Sequence, residues 1–150
     1  MSFVDLLKES VRSGTIAAVA MMPVGLLFRF LGLRVGYYGQ KLGAVLFGSP
    51  SQVLLLAQHF VIGWLSALPM LLALVIIGTR ISSTMVGVIY GIAYYVLVNS
   101  IALPLFFGDP LPWQLGFSFI YPSLTIHIIF GACIGFTARK FARTHSESVP

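Results

Sequence analysis

Four long apolar stretches constrain this sequence more than any other feature. They cover residues 14–33, 52–78, 85–107 and 117–138, and Arg29 is the one charged residue inside them. A helix needs about 20 apolar residues to cross the roughly 30 Å hydrocarbon core of a bilayer. The backbone must satisfy its own polar groups there, so we expect four helices. The alternating pattern of a membrane β-barrel strand is absent from the sequence.

The composition supports the same conclusion. Charged residues make up 9% of the 150 residues and apolar residues 58%, whereas soluble proteins carry about 25% charged residues. So few charges cannot cover a soluble globule, which excludes a soluble enzyme and a disordered chain. The net charge of +5 is better explained by membrane orientation and lipid contact than by nucleic-acid binding. We therefore expect the lipid bilayer as a partner, and no nucleic acid.

The linkers predict how the spans are arranged. Residues 79–84 and 108–116 form short linkers, which favours two antiparallel hairpins in an all-α integral membrane fold of four transmembrane helices. The linker after the first span, residues 33–51, is longer and carries Arg34 and Lys41. Two interpretations of it are open: a short interfacial or re-entrant segment, or a loop with one helical turn. Asp109, in the last linker, is interpreted as a turn residue.

The distribution of Lys and Arg predicts the orientation. If the N-terminus is cytoplasmic, six of these residues lie on that side and three, Arg29, Arg34 and Lys41, on the other. Cytoplasmic loops are enriched in Lys and Arg, so we expect both termini in the cytoplasm. The chain then divides into an amphipathic cytoplasmic segment (1–13), a four-helix transmembrane domain (14–138) and a basic cytoplasmic tail (139–150). We expect the tail to be disordered from Thr144 onward.

A short motif recurs in the second and fourth spans. His59 and His127 are each followed by three bulky apolar residues and then a glycine. A histidine and the glycine four residues later share one face of a helix. Small residues four apart recur in all four spans, and they let helix backbones approach closely in lipid. The predicted helix-packing positions are Gly63, Gly87, Gly91, Gly131 and Gly135. We also expect an exposed glycine face of the third or fourth span to mediate self-association.

Polar side chains inside the spans are the candidate site residues, because each costs free energy in lipid unless it has a partner. With the predicted orientation, the helical rise places them in the outer half of the membrane. They are Arg29, Gln58, His59, Asn99, Ser100 and His127. Four helices thus bring polar groups to one level, which predicts a convergent site on a substrate or ion pathway.

These polar side chains also admit simpler roles. Arg29 can extend to the lipid headgroups, and Asn99 can simply hydrogen-bond between helices. The two histidines can be structural, can conduct protons or ions, or can ligate haem or a metal. We expect the rings of His59 and His127 to lie within about 10 Å of each other, so that one group or water can bridge them. Gln58, Thr125 or Asn99 would complete their hydrogen bonds.

Several motifs of soluble chemistry are missing from the sequence. The spans contain no Asp or Glu, and no glycine-rich phosphate loop occurs. Cys133 is the one cysteine, so an internal disulfide and a multi-thiolate metal site are excluded. The segments outside the spans are too short for a catalytic domain. We therefore predict that the chain is not an enzyme and holds neither a metal nor a resident cofactor, with haem b as the alternative.

Several segments carry a resemblance to a known family. Residues 14–18 and 31–33 of the first span, 59–63 of the second, 87–91 of the third and 127–135 of the fourth resemble the YagU-like family of bacterial inner-membrane proteins. The resemblance implies four membrane helices in a bacterial cytoplasmic membrane. It assigns neither an activity nor a catalytic residue.

These observations predict a small inner-membrane protein that forms a homo-oligomeric pore or carrier, or an accessory subunit of a larger membrane complex. Four short helices hardly enclose a polar path alone, so an oligomer interface is the expected place for one. One alternative is a b-type cytochrome with His59 and His127 as the axial ligands of haem b. Another is a structural or assembly protein without transport activity.

Overall fold

All four apolar stretches lie in helices that are long and apolar enough to cross a membrane. The computed structural model describes residues 1–78 and 81–146, and this part of the chain contains no β-strand. The prediction of an all-helical fold with four candidate membrane spans is therefore confirmed.

The helices follow one another along the chain in a simple order. They are α1 (Phe3–Phe30), α2 (Tyr37–Phe47), α3 (Gln52–Ile77), α4 (Ser83–Tyr94), a π-helical segment (Tyr95–Ala102), α5 (Leu103–Phe107), α6 (Pro112–Leu115), a 3₁₀ turn (Phe117–Phe119), α7 (Tyr121–Thr137) and α8 (Arg139–Ser146). The third candidate span, Ser83–Phe107, joins α4, the π-helical segment and α5, and the fourth, Phe117–Thr137, joins the 3₁₀ turn and α7.

Helix α1 begins with a capping box. The Ser2 hydroxyl accepts from the Asp5 amide at 3.1 Å, and the Asp5 carboxylate accepts from the Ser2 amide at 3.3 Å, so two free amides of the first turn are satisfied. The helix then runs for 28 residues with Pro23 inside it. Residues 1–13 were expected as a separate amphipathic segment, and residues 3–13 of it form the first part of the same helix as the first span.

Helix α1 packs against α3 and α7. At the α1–α3 contact, a Cβ atom on Gly14 would stand 2.9 Å from the carbonyl oxygen of Gly63, so the two backbones are in direct contact. Polar side chains also join these helices: the Trp64 indole donates to the Thr15 hydroxyl at 2.9 Å, and the Ser10 hydroxyl donates to the Trp64 carbonyl at 2.5 Å. The contact therefore combines close packing with hydrogen bonds.

Helices α4 and α7 form the most extensive contact of the bundle. Gly87 and Gly91 of α4 face Gly131 and the backbone of His127 on α7, and a Cβ atom on any of these glycines would collide with the opposite backbone. Gly135 meets Ser83 in the same way. The four glycines are buried within one chain. The expectation that this face is exposed is therefore wrong, whereas self-association of the chain stays a prediction.

Helix α8 folds back onto α3, and its Ala142 is 2% exposed. The tail expected to be disordered from Thr144 is thus helical as far as Ser146. Nearby, the Arg12 guanidinium donates to the last carbonyl of α7, that of Thr137, at 2.7 Å. Arg80 is one of the six basic residues that predicted the orientation, and it lies outside the described part of the chain. Residues 147–150 also lie outside it.

Most of the buried apolar core lies at the end of the bundle that carries both termini, here called the termini end. It draws on the first part of α1, the second half of α3, the start of α4, the end of α7 and helix α8. Its members are Leu6, Ala17, Ala67, Met70, Leu71, Leu74, Val86, Phe130, Ile134, Ala138 and Ala142. The opposite end, here called the α2 end, is packed less completely.

We predict that Gly131→Leu destabilises the fold by about 3 kcal/mol or more, because the new side chain can fit only if α4 moves away from α7. The thermal unfolding midpoint in detergent measures the effect. Ala93→Leu is the matched control, since Ala93 lies on the exposed face of α4 and should keep the wild-type midpoint. Equal stability of the two variants would contradict the close backbone contact.

Candidate functional site

A cavity of about 800 Å³ opens at the α2 end of the bundle. Residues of α1, α2, α3, the π-helical segment and α7 line it. On α3 the lining extends from Gln52 to Ser66, a depth of about 20 Å at the rise of a helix. The volume lies within the range of about 300–1,000 Å³ that is typical of ligand-binding pockets. The cavity is therefore large enough for a small organic molecule.

The walls of the cavity are mainly apolar. Met21, Met22 and Leu26 of α1 face Ile62 and Leu65 of α3 across it. Leu26 and Leu65 line the cavity and are each 61% exposed, so apolar parts of its wall reach the outer surface of the bundle.

Five of the six predicted site residues line this cavity. They are Arg29, Gln58, His59, Asn99 and His127. The sixth, Ser100, does not line it: the Ser100 hydroxyl is buried, and no described residue is in hydrogen-bond distance of it. Asn99 and Ser100 are neighbours in the π-helical segment. The amide of Leu103, the residue that follows this segment, donates to the carbonyl of Val98. Segments of this kind are frequent at functional sites.

Each histidine bonds to a backbone carbonyl. The Nδ1 atom of His127 lies 2.6 Å from the carbonyl oxygen of Ser123, and the Nε2 atom of His59 lies 3.2 Å from that of Ala18 on α1. A carbonyl only accepts, so these ring nitrogens must carry the hydrogen. The neutral form of His127 therefore keeps Nε2 as an acceptor, and that of His59 keeps Nδ1.

The predicted partners of the histidines bond elsewhere. The Asn99 amide donates to the Ser123 hydroxyl at 3.0 Å, and the Gln58 amide donates to the Gly39 carbonyl at 2.8 Å. The Thr125 hydroxyl donates to the carbonyl one turn before it, that of Tyr121, at 2.7 Å. The prediction that these three side chains complete the bonds of the histidines is therefore wrong. Ser123 is instead the residue that links Asn99 with His127.

Ser66 and Tyr94 form the floor of the cavity, and Tyr90 bonds to Ser66 outside the lining. The Tyr90 hydroxyl donates to the Ser66 carbonyl at 2.6 Å, and the Ser66 hydroxyl donates to the Tyr94 hydroxyl at 2.9 Å. The Tyr94 ring stacks on the His127 ring at a centroid distance of 5.6 Å. The sequence patterns did not reveal this floor, although tyrosines four residues apart share one face of a helix. His59 and His127 border a smaller space of about 60 Å³ beside the floor.

Helix α2 covers part of the cavity mouth, and side-chain contacts on two sides hold it in place. Gln58 holds it to α3 through the bond to Gly39. The Lys41 ammonium lies 2.6 and 2.7 Å from the two carboxylate oxygens of Asp109. These hydrogen bonds hold the pKa of Lys41 above its usual value. Asp109, interpreted from the sequence as a turn residue, is thus the ion-pair partner of α2.

Arg29 and Arg34 stand at the same mouth. The Arg29 Nε atom lies 3.4 Å from the Val35 carbonyl oxygen, at the long limit for a hydrogen bond. The Arg34 guanidinium carbon lies 3.4 Å above the centroid of the Tyr37 ring and 5.5 Å from that of Phe119. Stacking of this kind fixes the plane of the guanidinium and leaves its edge able to donate hydrogen bonds.

Comparison with protein-family models, with curated proteins and with solved structures yields no match for this chain. Within the part of the chain that the structure describes, no three His, Cys, Asp or Glu side chains are grouped so that they could hold a metal ion. The chemistry of the cavity therefore has to be inferred from its lining alone.

We predict that Lys41→Met speeds the hydrogen exchange of the α2 amides severalfold, because it removes the ion pair to Asp109. Asp109→Asn should act similarly, and the double variant should add little, since each change removes the same bond. Equal exchange in all variants would mean that the ion pair does not hold α2. In the wild type the Lys41 ammonium is charged at neutral pH. Because its pKa is raised in the folded state, the contribution of the pair persists to high pH and is lost as the pH rises through that pKa, above the ordinary lysine value of about 10.4.

Proposed function

We propose that this chain is a small multi-pass membrane protein that binds a small molecule inside its own helix bundle, as a carrier or as an accessory subunit of a larger membrane complex. The observation that carries the proposal is the cavity of about 800 Å³, where polar groups from several helices meet an apolar wall. Because residues of a single chain line this cavity, ligand binding does not require the oligomer interface that the sequence led us to expect.

The proposed placement in the membrane follows the helix contacts and the charges. The pairs α1–α3 and α4–α7 would cross as two antiparallel hairpins of a bacterial inner-membrane protein. Both termini would be cytoplasmic, and α2 would lie in the outer interface. The excess of Lys and Arg on the termini side supports this orientation. In this orientation the cavity opens toward the outer leaflet.

The arrangement of the histidines favours the binding proposal over haem ligation. Haem-ligating histidines typically bind iron through Nε2 and donate Nδ1–H to a carbonyl. His127 has such a bond at Nδ1, but the Nε2 atom of His59 is bonded to the Ala18 carbonyl instead. Ligation of haem by Nε2 of both histidines would therefore require the bond between His59 and Ala18 to break first.

We predict that Gly25→Phe abolishes ligand binding without unfolding the protein. Gly25 lines the cavity, and a Cβ atom there would lie at an ordinary contact distance of 3.7 Å from the Val35 side chain. The helix thus tolerates a side chain, while a benzyl group would occupy the cavity. Val19→Phe on the lipid-facing side of α1 is the matched control, because Val19 is 50% exposed.

Native mass spectrometry of the gently extracted protein measures the outcome. Wild type and Val19→Phe should carry a non-covalent small-molecule adduct, and Gly25→Phe should carry none. Wild type without any adduct, even after addition of single-chain lipids, would refute the proposal. An unchanged adduct on a folded Gly25→Phe protein would place the ligand elsewhere and would equally count against it.

The proposed orientation has its own test. In a Cys133→Ser background, a cysteine replacing the exposed Gln40 of α2 should react with a membrane-impermeant maleimide added to intact cells. A cysteine replacing Ser148, which lies outside the described residues, should react only after the cells are permeabilised. The reverse pattern of labelling would invert the proposed orientation.

A further inference from the structure

The acidic residues of this chain are too few to neutralise its basic ones. The sequence contains four: Asp5, Glu9, Asp109 and Glu147. Asp5 bonds to the helix cap, Glu9 pairs with Arg12, and Asp109 pairs with Lys41. Glu147 lies outside the described residues. The acidic groups that the structure describes therefore have partners other than Arg29 and Arg34, and the cavity lining contains no Asp or Glu.

Two guanidinium groups at the cavity mouth face this lining without a carboxylate. Arg29 and Arg34 both line the cavity, and no described residue forms an ion pair with either. A cation near the end of a membrane span can reach water and headgroups, so its positive charge is available to pair with an anion. The two positive charges disfavour a cationic ligand and favour an anionic one. The planar, multi-donor guanidinium group matches the paired oxygens of a carboxylate or phosphate.

The rest of the cavity suits an apolar chain. Below the arginines, Met21 and Met22 face Ile62, and methionine side chains adapt to ligands of irregular shape. The depth of about 20 Å ends at the floor formed by Ser66 and Tyr94. Leu65 lines the cavity and is 61% exposed, so the apolar wall reaches the outer surface of the bundle. Charge at the mouth and apolar walls below it are the arrangement expected for a molecule with an acidic head and an apolar tail.

We infer that the cavity binds a single-chain anionic amphiphile, with its carboxylate or phosphate headgroup on Arg29 and Arg34 and its chain along Met21, Met22 and Ile62. This inference rests on the proposed function, because it names the ligand class of the same cavity. The two headgroups share the chemistry that the guanidinium groups recognise. A cavity of about 800 Å³ with one floor favours one chain rather than two.

Native mass spectrometry with four probes tests the inference. Oleate and oleoyl-lysophosphatidate carry an anionic head, oleoyl-lysophosphatidylcholine carries the same chain with a zwitterionic head, and inorganic phosphate carries no chain. Wild type should bind oleate, the lysophosphatidate or both with one molecule per chain. The zwitterionic lipid should bind at least tenfold more weakly, and phosphate should not bind measurably. Binding of only one anionic lipid narrows the headgroup to a carboxylate or a phosphate.

The variant Arg29→Gln/Arg34→Gln should weaken binding of the anionic lipids by about tenfold to 100-fold, as expected for the loss of charge-assisted hydrogen bonds. Lys8→Gln/Lys140→Gln removes the same net charge at exposed positions away from the cavity and should bind like wild type. If the arginine variant does not fold, the salt dependence of wild type decides: added salt should weaken lysophosphatidate binding and leave lysophosphatidylcholine binding unchanged.

Equal affinity for the zwitterionic and anionic lipids, with no effect of the arginine variant, overturns the anionic headgroup and leaves the proposed function intact. Equal affinity for phosphate and lysophosphatidate overturns the role of the apolar chain. If no lipid probe binds and wild type carries no adduct of its own, the proposed function fails together with this inference.

Discussion

The direct backbone contact between α4 and α7 is the interaction on which the rest of the structure depends. Burial of apolar side chains stabilises helix pairs little in lipid, so helices associate mainly through close packing and hydrogen bonds. Gly87 and Gly131 provide that closeness because neither has a side chain between the two backbones. One turn toward the α2 end, Gly91 packs on the backbone of His127. The same contact brings the ring of Tyr94 onto the ring of His127 and so sets the floor of the cavity.

The cavity follows from where this close packing stops. Small residues and the apolar core fill the termini end, whereas the third span changes to a π-helical segment beyond Tyr94. At that level His59 and Asn99 bond to neighbouring elements, whereas the buried hydroxyl of Ser100 has no partner among the described residues. The charged groups lie at a different level. The ion pair of Lys41 with Asp109, as well as Arg29 and Arg34, lies at the mouth of the cavity, where water and headgroups can reach it. The interior is thus polar without being charged, and the mouth is positive.

The sequence predicted the spans well, because length and apolarity are local properties. Helix α3 ends within one residue of the predicted stretch, and five of the six predicted polar residues line one cavity. Their bonding partners could not be predicted, because backbone carbonyls such as those of Ala18 and Ser123 carry no sequence signal. The pair of Lys41 and Asp109 spans 68 residues, a separation that no local pattern reports.

The packing glycines also show what the sequence could not predict, namely which helix they contact. Their spacing identified Gly87 and Gly131 as packing positions, but spacing is identical whether the partner helix belongs to the same chain or to a second copy. Only the three-dimensional arrangement distinguishes the two, and here the partner is α7 of the same chain. The continuity of α1 is a related case: polar residues in its first turns indicated a separate segment, although they are compatible with one long helix.

An experimental structure of the protein crystallised from a lipid mesophase is the most direct measurement of the central claim, which is that the α2 end holds a small molecule within a single chain. We expect elongated density that belongs to no protein atom, running from Arg29 and Arg34 down to the floor at Ser66 and Tyr94. Direct packing of Ile62 against Val98, with no space left between α3 and the π-helical segment, would contradict the claim.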